Sequence, residues 1–200
     1  MIRTTFGLLL LATSALAADL DSPALFAVTN VETGDVLNIR AAPDASSQIL
    51  DGLQPGATVE VTAMGAEGRW GRVNTDETSG WASLKYLERL PGAETGLGYP
   101  VTECFGTEPF WSLDLASDVP VFQILGEDEV TLTVRREVRG QGRPDRQAII
   151  FDLTEGTGVL VVATRTCSDG MSDRAYGLGG DLVLGGPSAR MLSGCCSISP

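Results

Sequence analysis

Val36-Leu37-Asn38-Ile39-Arg40 alternates apolar and polar side chains and stops at Ala41-Ala42-Pro43-Asp44, where Pro and Asp favour a turn. The same grammar recurs downstream. Thr58-Val59-Glu60-Val61-Thr62 alternates after Pro55-Gly56, and Arg69-Trp70-Gly71-Arg72-Val73 and Gly80-Trp81-Ala82-Ser83-Leu84 flank a polar turn at Asn74 to Ser79. Four or five short strands in about sixty residues, with turn chemistry between them, describe a small β-barrel.

Working outward from that stretch, the second half repeats the β pattern on longer segments. Trp111, Leu113 and Leu115 alternate with polar residues, as do Val130, Leu132 and Val134, and Ile149, Phe151 and Leu153 alternate with Ile150 and Asp152. Val159-Leu160-Val161-Val162 is continuously apolar, the pattern of a strand covered on both sides. Leu182 to Leu184 and Met191 to Cys195 read as two further strands, whereas Ala175 to Gly180 is so rich in glycine that a strand there is in doubt. Six to eight antiparallel strands without a convincing helix predict a closed or nearly closed barrel, so the fold class is all-β with two modules.

The four cysteines, Cys104, Cys167, Cys195 and Cys196, all fall in the second half. Three pairings are formally possible, and the one that joins Cys195 to Cys196 demands a strained vicinal ring. Cys104 and Cys167 are therefore each expected to take one of the twin cysteines, pinning the first, fifth and last strands of the second module. A zinc or redox site is the competing use of these thiols. The chain has no histidine and no C-x-x-C pair, so no metal and no cofactor is expected.

An exported destination fits disulfides. The start of the chain has Arg3, an apolar run from Phe6 to Leu16 and Ala15-Leu16-Ala17 as a small-x-small cleavage site, so residues 1–17 read as a signal peptide. That run is shorter than the ~20 residues of a spanning helix, and stable membrane insertion is not expected. Residues 18–30 read as a polar lead-in, 31–90 as the first module, 91–100 as a Gly- and Pro-rich linker and 101–200 as the disulfide-stapled β domain. The sequence sets no oligomeric state.

The chain carries 14 basic and 26 acidic residues, a net charge of −12. Five basic against eleven acidic residues lie between the signal and Leu90, and eight against fifteen after it, so neither half is a charged tail. A surface this acidic is repelled by phosphate backbones and anionic headgroups, and nucleic acid is not an expected partner.

Leu37-Asn38-Ile39-Arg40-Ala41-Ala42-Pro43, Ser46-Ser47 with Ile49-Leu50, Leu53 and Gly56, Trp70-Gly71-Arg72-Val73 and Gly80-Trp81-Ala82 together resemble the bacterial SH3 domain over Val31 to about Leu90. The resemblance implies an SH3-like β-barrel that acts at the cell wall as a targeting or binding module. Trp70 is expected in the core. Trp81 and Tyr86 could flank a groove and stack on sugar or peptide, and Arg40 either closes an internal ion pair or reaches a carboxylate of a stem peptide.

In the second half, Cys104-Phe105-Gly106-Thr107-Glu108-Pro109-Phe110-Trp111, Cys167-Ser168-Asp169-Gly170-Met171-Ser172-Asp173 and Gly194-Cys195-Cys196 resemble an uncharacterised family of bacterial envelope proteins. Its members are often seen beside META-type or lysozyme-inhibitor-like domains, and the resemblance supplies no activity. Trp111 either fills the barrel or forms a binding surface at its mouth. Ser168, Asp169, Ser172 and Asp173 lack the histidine a serine hydrolase needs, and Asp169-Gly170 reads most simply as a turn. The expectation is a periplasmic or secreted accessory protein, not an enzyme, that binds peptidoglycan or an envelope protein. An inhibitor of a basic lysozyme, and a wall hydrolase using Glu108, Asp169 or Asp173, are the alternatives.

Overall fold

Short alternating segments need partners on both edges, and the chain supplies them by winding into two barrels. The computed structural model describes residues 23–65, 67–91, 100–154 and 156–199. The expected signal peptide and most of the expected linker, 92–99, lie outside the described residues.

The first module contains β1 (Ala24–Val28), β2 (Leu37–Arg40), β3 (Ile49–Leu53), β4 (Thr58–Val61), β5 (Ala63–Met64), β6 (Trp70–Asn74), β7 (Ser79–Ser83) and β8 (Leu87–Arg89), with a 3-10 turn at Leu84–Tyr86 before β8. A five-stranded sheet, β3-β2-β7-β6-β5, packs on a three-stranded one, β4-β1-β8. Phe26, Ile39, Val59, Val61 and Val73 fill the space between them. The sequence reading of 18–30 as lead-in is corrected here. Ala24, Phe26 and Val28 alternate into the core, and β1 is the central strand between β4 and β8. The polar neighbours of this segment mask three buried side chains at period two.

The second module contains β9 (Glu103–Thr107), β10 (Phe110–Asp114), β11 (Val121–Ile124), β12 (Val130–Thr131), β13 (Thr133–Gly140), β14 (Arg143–Leu153), β15 (Gly156–Cys167), β16 (Tyr176–Leu184) and β17 (Arg190–Ser197). They pair antiparallel in the order β12-β11-β10-β9-β17-β16-β15-β14-β13. The two ends of that order, β12 and β13, are consecutive in the chain and divided only at Leu132. One run of chain therefore leaves β11 and turns to β14, and the nine strands make a nearly closed barrel. Leu132 is buried in it, and its N–H donates to the Pro120 carbonyl at 2.8 Å. Leu113, Phe151, Leu160, Leu178 and Leu182 form the centre of the core.

Two disulfides join Cys104 to Cys196 and Cys167 to Cys195. The strands they pin are the first, seventh and ninth of the module, because β11 and the break at Leu132 add strands that the sequence pattern hides. The doubtful segment Ala175 to Gly180 is also corrected: residues from Tyr176 on belong to β16. Its glycines are sites of close approach. A Cβ on Gly180 would lie 2.5 Å from Cys196 Sγ, and one on Gly177 would lie 2.6 Å from the Thr62 carbonyl of the first module. Val159 to Val162 is likewise not covered on both sides. Leu160 and Val162 point inward, while Val159 and Val161 stand half-buried on the outer wall.

The modules pack against each other through a carboxylate. Glu60 sits on β4 between Val59 and Val61, so alternation turns it out of the first barrel, yet it is only 6% exposed because the end of β17 covers it. Its Oε2 accepts from the Ser197 hydroxyl at 2.6 Å and the Ile198 N–H at 3.1 Å, while Oε1 is buried without a partner. Burial pushes the Glu60 carboxyl up from its ordinary 4.5, and the hydrogen bonds from Ser197, Ile198 and Ser199 oppose this without cancelling it. A folded-state pKa above the unfolded one means that the folded chain holds this proton more tightly. Its contribution is most favourable below about pH 4.5 and declines as pH rises through the raised pKa. Glu60→Gln has no such dependence, so the stability of the natural chain relative to Glu60→Gln should grow as pH is lowered from neutral to 4.5 in urea titrations. Glu60→Ala leaves the Ser197 hydroxyl and the Ile198 N–H without this acceptor and should cost about 1–3 kcal/mol.

Candidate functional site

Two concavities stand out, one on the first barrel and one where the modules meet. The first arises from strand alternation. On β6 the small Gly71 and Val73 face inward, which leaves Trp70 and Arg72 outward. On β7 Gly80 and Ala82 face inward, which leaves Trp81 and Ser83 outward. Trp70, expected in the core, is therefore half-buried on the outer face, where it is opposite Ser83.

Trp70, Tyr86, Arg40, Asn38, Glu32 and Asp35 line a groove of about 520 Å³. Tyr86 comes from the 3-10 turn that follows β7, and the ammonium of Lys85 lies 5.1 Å from its ring centroid. Arg40 ends β2 and donates from Nη1 to the Ser47 carbonyl at 2.7 Å, so it is tied to a backbone oxygen in place of the expected acid. The loop that offers this oxygen is organised by its own polar side chains. Asp44 Oδ1 accepts from the Ser46 N–H at 2.7 Å and the Ser46 hydroxyl at 2.8 Å, and these bonds, with a smaller effect of Arg40, lower the Asp44 carboxyl against a slight opposing burial. The Ser47 hydroxyl donates toward the carbonyls of Ala42 and Asp44 at 3.0 Å each. Trp70 of β6 and Tyr86 of the 3-10 turn thus supply the aromatic lining of the groove, and Asn38 and Arg40 of β2 with Glu32 and Asp35 of the preceding loop supply its polar lining.

Of the four residues that the sequence offers as binding candidates, Arg40 and Tyr86 line this groove. Trp81 is the cross-strand partner of Arg40 and of Arg72, on the same outer face but not on the groove wall. Trp111 belongs to the core of the second barrel and also borders the concavity where the modules meet. It is 3% exposed inside the second barrel, and its indole N–H donates to the Ser193 carbonyl at 3.3 Å. Gly106 permits this, since a Cβ there would lie 2.3 Å from the indole nitrogen.

The segment Cys167 to Ala175 becomes a clasp between the modules. Asp169 Oδ1 accepts from the N–H groups of Met171 and Ser172 at 3.0 and 2.9 Å, and Oδ2 accepts from the Ser172 hydroxyl at 2.7 Å. Burial raises this carboxyl somewhat, and the hydrogen bonds from Ser172 and Met171 outweigh it, so the net shift is downward. A carboxylate so occupied holds its turn. The turn then presents backbone to the hairpin that joins β6 to β7. Asn74 donates to the Ala175 carbonyl at 3.0 Å and accepts from its N–H at 2.9 Å, and the Asp173 N–H donates to the Glu77 carbonyl at 3.1 Å. Ser79, held by Arg72, donates to the Asp173 carbonyl at 3.1 Å. Asn74, Ser79 and Glu60 escape a reading of the sequence because nothing local marks a polar residue on an outward strand face as an attachment point.

Between the clasp, the hairpin and the outer wall of β9 to β11 lies the second concavity, a crevice of about 530 Å³. Among the described residues no group of three or more Asp, Glu, Cys or His side chains is placed to hold a metal ion, and no helix is long and apolar enough to cross a membrane.

No curated protein and no solved structure matches this chain. The family model of the bacterial SH3 domain matches residues 35–88, the stretch that supplies Arg40, Trp70 and Tyr86 to the groove.

Proposed function

We propose that this is an exported cell-envelope accessory protein whose first module binds peptidoglycan through the groove of Trp70, Tyr86 and Arg40. The observation that carries this reading is the groove's position on the bacterial SH3 match, with the aromatic side chains of Trp70 and Tyr86 and the polar ones of Asn38 and Arg40 in its lining. Aromatic faces stack on sugar rings or flank a peptide, while Arg40, Glu32, Asp35 and Asn38 offer donors and acceptors for the amides and carboxylates of a stem peptide. The disulfides support an oxidising compartment, and the three motifs of the second module support kinship with bacterial envelope proteins. The signal peptide at 1–17 belongs to the same proposal, as do the boundary near 91–100 and the absence of catalysis.

Purified chain sedimented with isolated sacculi is expected to co-pellet. Trp70→Ala with Tyr86→Ala should reduce the apparent affinity about tenfold, a loss of about 1.4 kcal/mol, with circular dichroism unchanged. Recovery of the natural chain only in the supernatant would refute the reading.

A further inference from the structure

The two most exposed large apolar side chains of the described residues share one concavity, whereas Met191, Ile49 and Val119 are exposed away from it. Leu125 at 76% and Met171 at 68% exposure are those two, and both line the crevice between the modules together with Phe110 at 46%. They come from three separate places: the end of β11, the clasp and the start of β10. Isolated exposed apolar residues need no explanation, but several around one concavity at a module junction mark a binding surface. Phe110 is fixed on a paired strand, whereas Met171 is unbranched and can adapt to what it covers.

Charge decides what the surface fits. Asp76 and Glu77, at the exposed tip of the β6–β7 hairpin, stand on the rim of this crevice, and among the described residues neither carboxylate has an ion-pair partner. Of the two other charged residues on the lining, Asp169 is consumed by its turn, and Arg174 lies over the Tyr176 ring at 5.6 Å. The chain as a whole carries a net charge of −12, which attracts cations from a distance and repels acidic partners.

We infer that the crevice binds a cationic, apolar peptide segment of a partner protein, one that places Lys or Arg beside Phe, Leu or Met. The apolar side chains of that segment would rest on Phe110, Leu125 and Met171, and its cations would face Asp76 and Glu77. This surface is separate from the groove of the first module, and its occupant differs in charge and chemistry from a wall glycan.

Fluorescence anisotropy with a fluorescein-labelled peptide of alternating Lys and Phe tests the inference on the full chain, with Glu–Phe and Lys–Ser peptides of the same length as controls. The Lys–Phe peptide should bind at least tenfold more tightly than either control and weaken as salt is raised. Asp76→Lys with Glu77→Lys, and separately Leu125→Asp with Met171→Asp, should each lower that affinity about tenfold. All four side chains are exposed, so these variants should keep the circular dichroism and sacculus binding of the natural chain. Three results would overturn the inference: no saturable binding, equal binding of the Glu–Phe peptide, or affinity unchanged in both double variants. Loss of sacculus binding with peptide binding intact would refute the wall reading alone.

Discussion

Replacing Cys104 and Cys196 together by alanine is expected to destabilise the chain by about 4.5 kcal/mol, the loop-closure value for a bridge across 92 residues. Cys167→Ala with Cys195→Ala releases a loop of only 28 residues and should cost about 3.5 kcal/mol. Both are large beside the marginal stability of a small domain. The measurement is urea unfolding of each pair variant against the natural chain. A smaller loss from the Cys104–Cys196 pair than from the other would show that strain or residual structure in the unfolded chain outweighs loop length. The second bridge also anchors one end of the clasp, so its loss should raise protease cleavage between Cys167 and Tyr176 well before global unfolding.

Gly194→Ala is the second change of large expected effect. A Cβ at this position would lie 1.9 Å from the Phe105 carbonyl oxygen and 2.6 Å from its carbon, so no side-chain motion relieves the clash. The backbones of β9 and β17 would have to separate, where Cys195 is opposite Phe105 and Cys196 opposite Cys104. The expected loss is about 3 kcal/mol or more, read as a lowered urea midpoint. Gly126→Ala is the contrast. Gly126 has nothing within 4 Å of its ideal Cβ, though its φ of +88° disfavours a side chain, so alanine there should cost about 1 kcal/mol from backbone strain alone. Equal losses at the two positions would show that the ladder can yield.

The strands of the first barrel were legible because their alternation is punctuated by Pro and Gly, as at Pro43 and Pro55-Gly56. β1 was not, since five residues with three inward side chains give too short a period to distinguish from a polar approach to the barrel. Cysteine positions limited the bridges to two arrangements, and the structure selects one. The groove was half visible: Arg40 and Tyr86 were candidates, while Trp70 looked like core because a large aromatic on a strand usually is. What decides its side is the pairing of Gly71 and Val73 with the interior, a matter of register. The crevice was invisible, because Phe110 and Leu125 meet through the pairing of β10 with β11, Met171 joins them through the clasp, and the acids of the β6–β7 hairpin arrive only through the packing of two modules. The clasp explains the polar, glycine-containing motif after Cys167, in which hydroxyl and carboxylate hold a turn and backbone makes the attachment.

Strands at the rim of an open sheet offer their unused N–H and C=O groups to any extended chain that drifts past, and molecules then stack edge to edge. The ring that bends at Leu132 leaves the second barrel two such rims among the described residues, β12 of two residues and β13 of eight, each paired on one side only. On the first barrel such a rim is β3, which pairs on one side only and shows Ile49 and Leu50 to solvent with Asp51 beside them. Asp51 is the one charged side chain on β3, and neutralising it should shorten the time to turbidity of a concentrated solution while leaving the fold intact.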